Sequence, residues 1–419
     1  MRLTPADRPL FQAVGAALNP YPGGPLGVAV SGGSDSCALL HLLHLWGREQ
    51  GVEIEAVTVD HGLREGSADE ARMVGQICAA LGIKHSILHW SGWDGRGNLQ
   101  DQARRARYRL MADWAKARGI AHVALGHTLD DQAETVLLRL ARGSGVDGLS
   151  GMAPVSTAAG IVWHRPLLSL QRQELRDFLT RHGVCWVEDP SNDDPRFDRV
   201  KMRQALELLA PLGIDRQRLA ATAQALQPAR QALELQTQAA AQPLVRLQHG
   251  DVLIGQSGFA ALPAEIQARL LIHALRWVSR SDYPPRRRAV LQLLADIGAG
   301  KAGSLQGCLI RPQRGDIHIC REYQAVRDVQ CPVEALWDQR WRVEGPFAPG
   351  LSIRALGEEG LRQCPNWRDS DVPRASLLAS PAIWQNQTLI AAPLAKNRNG
   401  WRCSLQFDCA DFISSILSH

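Results

Sequence analysis

The 419-residue sequence has no stretch near the ~18 consecutive apolar residues that a membrane-spanning helix needs. A chain threaded through a bilayer by helices is excluded on that ground. Residues Met1 to Pro25 include Asp7 and Arg8 and lack an unbroken apolar core, so no secretory signal is expected. Nine cysteines (37, 78, 185, 308, 320, 331, 364, 403 and 409) are scattered, odd in number and never in a C-x-x-C pair. That argues against a disulfide framework or a zinc knuckle and fits reduced thiols in a cytoplasmic protein. Low-complexity tracts and internal repeats are also lacking, which excludes a disordered chain or a solenoid. What is there is ordinary globular composition, 45% hydrophobic and 21% charged, in a length suited to roughly two to three domains. Lys and Arg number 47 against 42 Asp and Glu, a net charge of +5 that weakly favours an acidic partner such as RNA.

The chain is organised around Val28-Ala29-Val30-Ser31-Gly32-Gly33-Ser34-Asp35-Ser36. A short apolar strand, Leu26 to Val30, runs into a Gly-Gly turn, and a helix is expected to open at about Ser36. Glycines let the backbone bend sharply and approach a ligand. Small hydroxyls and free N–H groups at a helix N-terminus make an anion site, suited to phosphate. The Gly-Lys-Ser/Thr ending of a Walker A loop is missing. The bland alternative is a Ser/Gly-rich turn with no ligand.

Strands are then expected at Glu53–Val59, Lys84–His89 and Ala121–Leu125, alternating with helices at 37–50, 68–81, 100–118 and one that the Gly126–Thr135 motif leads into, ending at about Arg142. This alternation predicts an α/β fold with a doubly wound parallel sheet. In such sheets ligands bind outside the carboxyl ends of strands. Three polar motifs fall at such ends: the loop, Asp60-His61-Gly62-Leu63-Arg64, and Gly126-His127-Thr128-Leu129-Asp130-Asp131-Gln132-Ala133-Glu134-Thr135. Gly143 to Gly160 reads as a loop, 161–164 as strand or hairpin, 171–182 as helix and 186–194 as a polar turn. Between Arg196 and Arg230, seven Lys/Arg (196, 199, 201, 203, 216, 218, 230) face three acids, either a solvated helix face or a phosphate-contact surface. From about Gln224 an Ala/Gln/Leu-rich helix leads into further domains. The expected division is 1–215 for the catalytic domain, 224–328 mainly helical and 330–419 small and β-rich. Within 224–328, Pro284 and Pro285 are expected in the first turn of a helix bearing Arg286, Arg287 and Arg288, and Gly315 in a hairpin turn.

The Ser-Gly-Gly-x-Asp-Ser loop resembles that of the PP-loop ATP pyrophosphatases. With the Asp60 motif, Ala103-Arg104-Arg105-Ala106-Arg107-Tyr108, Gly126 to Thr135, Arg142-Gly143, and Phe197-Asp198-Arg199 to Arg203, the first half is similar to the tRNA isoleucine-lysidine synthetases. The family's Arg-Asn-x-x-Arg stands here as Arg199-Val200-Lys201-Met202-Arg203, leaving open which arginine takes its role. Beyond residue 220 the similarity is weaker, to tRNA-binding C-terminal domains.

The resemblance implies ATP-dependent joining of L-lysine to C2 of the wobble cytidine of isoleucine tRNA with a CAU anticodon, in two steps. The cytosine oxygen, a poor leaving group, is adenylated with loss of pyrophosphate; an amine then displaces AMP. Step one needs a pyrophosphate grip and a cation. Ser31, Gly32, Gly33, Ser34, Asp35 and Ser36 fit ATP, Asp35 also fits Mg²⁺, and Arg107 with Arg199 or Arg203 matches phosphate. Asp131 and Glu134, at i and i+3, share a helix face; by resemblance they hold lysine, with His127 beside them as a polar or acid–base group. His61 reads as a nucleotide contact or a core histidine, and Asp130 equally as an N-cap. Arg104 and Arg105 read as solvated or RNA-facing. A tRNA thiolase is the main rival, but it needs suitably placed cysteines, and Cys37 and Cys78 read as core. A non-catalytic nucleotide- or tRNA-binding protein is the other.

Overall fold

The computed structural model describes residues 3–62, 66–91, 99–188, 196 and 198–417. Leu63, Arg64, the turn residues 189–194 and Phe197 lie outside them. The chain divides into two compact units, one ending at Gln231 and the other running Ala232–Leu417.

In the first unit, helix α1 (Arg8–Leu18) precedes β1 (Leu26–Ala29), α2 (Ser34–Gln50), β2 (Ile54–Asp60), α3 (Ser67–Leu81), β3 (Lys84–His89) and α4 (Leu99–Ala117). Then come β4 (His122–Leu125), α5 (Leu129–Ala141), α6 (Val146–Leu149), β5 (Val155–Ala158), β6 (Ile161–His164), α7 (Arg172–Arg181), α8 (Asp198–Leu209) and α9 (Arg216–Leu244), which reaches past Gln231. The strands form one sheet in the order β3-β2-β1-β4-β6-β5, parallel except for the edge strand β5. The doubly wound fold is as expected. The stretch 143–160, read as loop, instead contains α6 and β5. Val155 to Ala158 alternates too weakly to announce a strand alone, and pairing with β6 decides it.

Alternation along β1 explains the layers. Leu26, Val28 and Val30 join Leu39, Leu40, Leu42 and Leu43 of α2, with Leu175, Phe178 and Leu179 of α7, on one face. Ala29 joins Met111, Trp114 and Ala115 of α4 on the other. The fully buried Asp7 fixes the far end of α7: Arg181 donates to it at 3.1 and 2.7 Å, and His182 lies 2.9 Å away.

In the second unit, β7 (Val245–Gln248) and β8 (Asp251–Gly255) are followed by α10 (Gln256–Ala260), α11 (Ala264–Ser279), α12 (Arg287–Gly298), β9 (Gly303–Leu305), β10 (Cys308–Gln313) and β11 (Asp316–Arg321). An antiparallel sheet in the order β7-β8-β11-β10-β9 packs its buried side chains with those of α11 and α12. The β10–β11 hairpin turns at Arg314-Gly315, both at positive φ, as that two-residue turn requires. Pro284 and Pro285 precede α12, which is capped by Arg286, so they end the preceding loop rather than start the helix. After α13 (Tyr323–Val326), strands β12 (Cys331–Pro332), β13 (Trp341–Glu344) and β14 (Leu351–Ala355), helices α14 (Gly357–Arg362) and α15 (Arg374–Leu378), and strands β15 (Pro381–Gln385), β16 (Thr388–Ala391) and β17 (Arg402–Leu405) precede α16 (Cys409–Ser414). These make a four-stranded and a two-stranded antiparallel sheet around buried Trp337, Trp341 and Trp401. Among the described residues no helix is long and apolar enough to cross a membrane.

Candidate active site

The strand order reverses at β1: β2 and β3 extend the sheet to one side, β4 and β6 to the other. Ligands in open α/β sheets sit at such a switch point. Ala29 is in register with Leu125, so the two connections that follow, 30–33 and 126–128, leave the sheet level with each other. Gly32 has φ +90°, which only glycine adopts without strain. Gly126 lacks room for a side chain: a Cβ there would stand 3.2 Å from the backbone N and Cα of Ser36. The N-termini of α2 and α5 thus open toward one crevice.

Ser36, expected to grip phosphate, holds the loop together. Its Oγ accepts from the Ser31 N–H (3.1 Å), donates to the Gly33 carbonyl (3.0 Å) and lies 3.2 Å from Ser31 Oγ. Ser34 is buried, with its hydroxyl 3.3 Å from Asp35 Oδ1, and Ser31 is exposed. Helix α2 begins at Ser34, so the backbone N–H groups of the loop remain the principal anion donors.

Asp131 does two jobs. Thr128 is the N-cap of α5 and donates to Asp131 Oδ2 from its backbone (2.9 Å) and hydroxyl (3.0 Å), completing a capping box. That leaves Oδ1 toward the crevice. Asp130 is therefore not the N-cap. It reaches across to α7, accepting from the Arg172 backbone N–H at 2.8 Å, and lies 3.2 Å from Arg216.

Arg172, absent from the sequence-based site, lies at its centre. Its Nε donates to Asp35 Oδ2 (2.9 Å), and its terminal nitrogens lie 3.4 Å from Asp131 Oδ1 and 3.8 Å from Glu134 Oε1. Arg203 donates from Nε to the same Glu134 oxygen at 2.6 Å. Arg199 is exposed, so of the two arginines only Arg203 makes a direct contact with a site carboxylate. One signal for Arg172 exists in the sequence: a cation at the first position of a helix opposes the helix dipole and calls for acidic neighbours.

Burial raises the pKa of Asp35 and of Glu134 above the usual carboxylate range, with Asp131 adding repulsion, although Arg172 and Arg203 respectively oppose the rise. Burial also works against the Asp131 charge, but Arg172, the Thr128 N–H, His127 and Arg199 outweigh it and hold it down. Arg172 is likewise penalised by burial, yet the three carboxylates raise its pKa. His127 is driven well below its ordinary value by burial, then by Arg165, Arg104 and Arg107, so its ring is neutral at neutral pH. His61 is lowered by burial and then by Arg107. Arg107 thus lies within electrostatic reach of both histidines, and its own pKa is lowered by burial. Arg104 and Arg105 are exposed, which fits a solvated and an RNA-facing face alike.

Three buried atoms in this region have no hydrogen-bond partner among the described residues: Glu134 Oε2, His127 Nδ1 and His61 Nδ1. A buried polar atom left without a partner costs about 1–3 kcal/mol, a cost that a ligand bonding these three would recover. No three metal-ligating side chains among the described residues are arranged to share one metal ion. Asp35 is an oxygen donor of the kind Mg²⁺ takes when substrate phosphates supply its other ligands.

A glycine loop at the switch point of a parallel sheet suits a phosphate-bearing ligand, and the PP-loop domain family matches residues 8–209. A tRNA(Ile)-lysidine synthase from Ruegeria pomeroyi is 49% identical over 419 residues, covering 100% of both chains. Another, from Wolbachia pipientis wMel, is 38% identical over 377 residues, 87% of this chain and 88% of that one. The chain belongs to the tRNA(Ile)-lysidine synthase family. It is an ATP-using enzyme. Among solved structures, the U34-tRNA thiolase NcsA from Methanococcus maripaludis with its [4Fe-4S] cluster gives a TM-score of 0.46 at 17% identity. That match covers 53% of this chain and 79% of that chain, too slight to carry an inference.

Proposed function

We propose that the crevice between β1 and β4 carries out both half-reactions of lysidine formation on isoleucine tRNA with a CAU anticodon. The observation that carries this is the convergence of Asp35, Asp131 and Glu134 beside the glycine loop, with Glu134 Oε2 and His127 Nδ1 lacking partners among the described residues. Loop N–H groups from 32 to 36 hold the pyrophosphate of ATP, with Ser31 and Ser34 at its edge and Ser36 fixing the loop. Asp35 is the protein's ligand for Mg²⁺, which when bound offsets negative charge on the phosphate oxygens. Arg107 faces the nucleotide side, near His61; Arg203, or Arg199 from the exposed face of α8, meets the phosphates. The wobble cytidine oxygen attacks the α-phosphorus, forming the C2–O–P link as pyrophosphate leaves.

Asp131 and Glu134 then hold lysine by its ammonium groups. The attacking amine must shed a proton; the neutral ring of His127, with Nδ1 unengaged, can accept a hydrogen bond from that amine while the proton passes to solvent. The amine bonds to C2 and AMP departs with the electron pair. Exposed Arg286, Arg287 and Arg288 at the start of α12 suit tRNA phosphates. Cytoplasmic residence follows from this substrate.

Nucleoside analysis of CAU-anticodon isoleucine tRNA after incubation with ATP, Mg²⁺ and lysine tests the reading. Lysidine is the expected product. Pyrophosphate release with no lysine-dependent nucleoside would overturn it.

A further inference from the structure

We propose that Arg172 is a positioning residue for amine recognition, the shared counter-ion that gathers Asp35, Asp131 and Glu134 while leaving Glu134 Oε2 open for the incoming ammonium. The inference rests on the lysine reading given above. Three carboxylates from two helices converge on one guanidinium, at 2.9, 3.4 and 3.8 Å. Like charges brought together out of water repel strongly unless a cation stands between them.

Arg172 is held for this task from the main chain as well. Asp130 accepts its backbone N–H at 2.8 Å, so adjacent acids on α5 grip one residue, Asp130 through the backbone and Asp131 through the guanidinium. The opposite end of α7 is fixed by Asp7 through Arg181 and His182. The guanidinium therefore sits on a helix pinned at both ends.

The division of oxygens gives the arrangement its purpose. Glu134 takes Arg203 at 2.6 Å and Arg172 at 3.8 Å on Oε1 alone, and Oε2 stays buried without a partner. Asp131 gives Oδ2 to the Thr128 cap and turns Oδ1 inward. Asp131 is engaged through both oxygens, Oδ2 by the cap and Oδ1 by Arg172 at 3.4 Å, whereas Glu134 is anchored through Oε1 only and its Oε2 has no partner among the described residues. A ligand ammonium can then bond Glu134 Oε2 without displacing either arginine.

The test is Arg172→Gln with Arg172→Lys as its conservative partner, each checked for folding by circular dichroism and melting temperature. Lysine binding to the Mg²⁺–ATP-loaded protein is read by calorimetry, and KM for lysine and for ATP, with kcat, from lysidine formation. Arg172→Gln is expected to weaken lysine binding and raise its KM by about tenfold or more, as loss of a charge-assisted contact does, with the KM for ATP moving far less. Arg172→Lys, a point charge without the planar fork, recovers part of the loss. Unchanged or tighter lysine binding in folded Arg172→Gln overturns the proposal, since it makes the arginine a bystander or a competitor. If both variants lose ATP and lysine affinity equally, the role is structural and the proposal also falls. Absence of lysine-dependent product with the unaltered protein refutes the underlying lysine reading, and this inference with it.

Discussion

Two clusters of buried polar side chains, one in each unit, differ in how fully they satisfy themselves. In the second unit, Asp251 Oδ2 lies 2.7 Å from His318 Nε2 and accepts from Ser376 Oγ at 2.5 Å, while Arg311 donates to His318 Nδ1 at 3.4 Å. None of these three buried residues has a buried side-chain atom without a partner. In the first unit, Asp35, Asp131, Glu134 and His127 are just as crowded, yet Glu134 Oε2 and His127 Nδ1 are left open. A closed network rigidifies its surroundings, and an open one retains unmet bonding capacity that a ligand can meet. Burial and charge are common to these two clusters; the unpaired atoms are where they differ.

Breaking the closed cluster should give the largest effect. Asp251→Ala leaves His318 and Ser376 buried without their acceptor and is expected to cost about 1–3 kcal/mol of stability for each group left unsatisfied. Urea denaturation measures that cost, and lysine KM below the transition should not change. The open cluster should respond in reverse. Asp35→Ala keeps the fold, relieves repulsion in the site and lowers the rate of tRNA-dependent pyrophosphate release on the order of 10²-fold, about 2.7 kcal/mol. Near-normal release by the folded variant would remove Asp35 from the mechanism.

Asp131→Asn and Glu134→Gln divide the open cluster further. Each keeps its size and loses its charge, so lysine affinity should fall about tenfold, roughly 1.4 kcal/mol, with ATP affinity little changed and adenylated tRNA accumulating. Loss of ATP binding with lysine affinity intact would move these acids to the metal. Asp131→Asn should also lower the melting temperature slightly, because its Oδ2 caps α5; Glu134→Gln has no such duty.

At neutral pH the smallest effect concerns protons. His273 is buried, with Nε2 2.9 Å from the Phe412 carbonyl, and burial drives its pKa down to about 4, the carbonyl only partly opposing. His41 and His164 are pushed to about 4 as well, burial again first. Unfolded histidines titrate near 6.5, so as pH falls below that value the unfolded chain takes up protons that the folded one refuses. Stability is therefore full above about 6.5 and declines toward 4. His273→Gln should lower the slope of unfolding free energy against pH in that window by up to one proton; an unchanged slope would mean the ring is charged in the folded protein.

Much of the first unit was legible in its sequence. The strand expected at 26–30 and found at 26–29, the helix expected from about Ser36 and found at 34–50, the glycine loop and the Asp131–Glu134 spacing follow from local periodicity and from glycine's freedom at positive φ. Less legible was the hairpin strand 155–158, which owes its conformation to a partner strand. The capping duty of Asp131 was hidden by its neighbour, since Asp130 stands equally near the helix start and only the turn at Thr128 decides which acid closes the box.

What the sequence determined by itself was the set of elements and the ends of the strands where polar motifs gather, because these depend on residues within a few positions of each other. Which charges meet was decided by the tertiary structure. Arg172 and Asp35 are 137 residues apart, and Arg203 and Glu134 are 69 apart. Both pairs form because packing sets α7 and α8 beside the crevice, and no spacing rule spans such a distance. The guanidinium between three acids belongs to the folded molecule, since a lone Arg at a helix start carries no address for its partners.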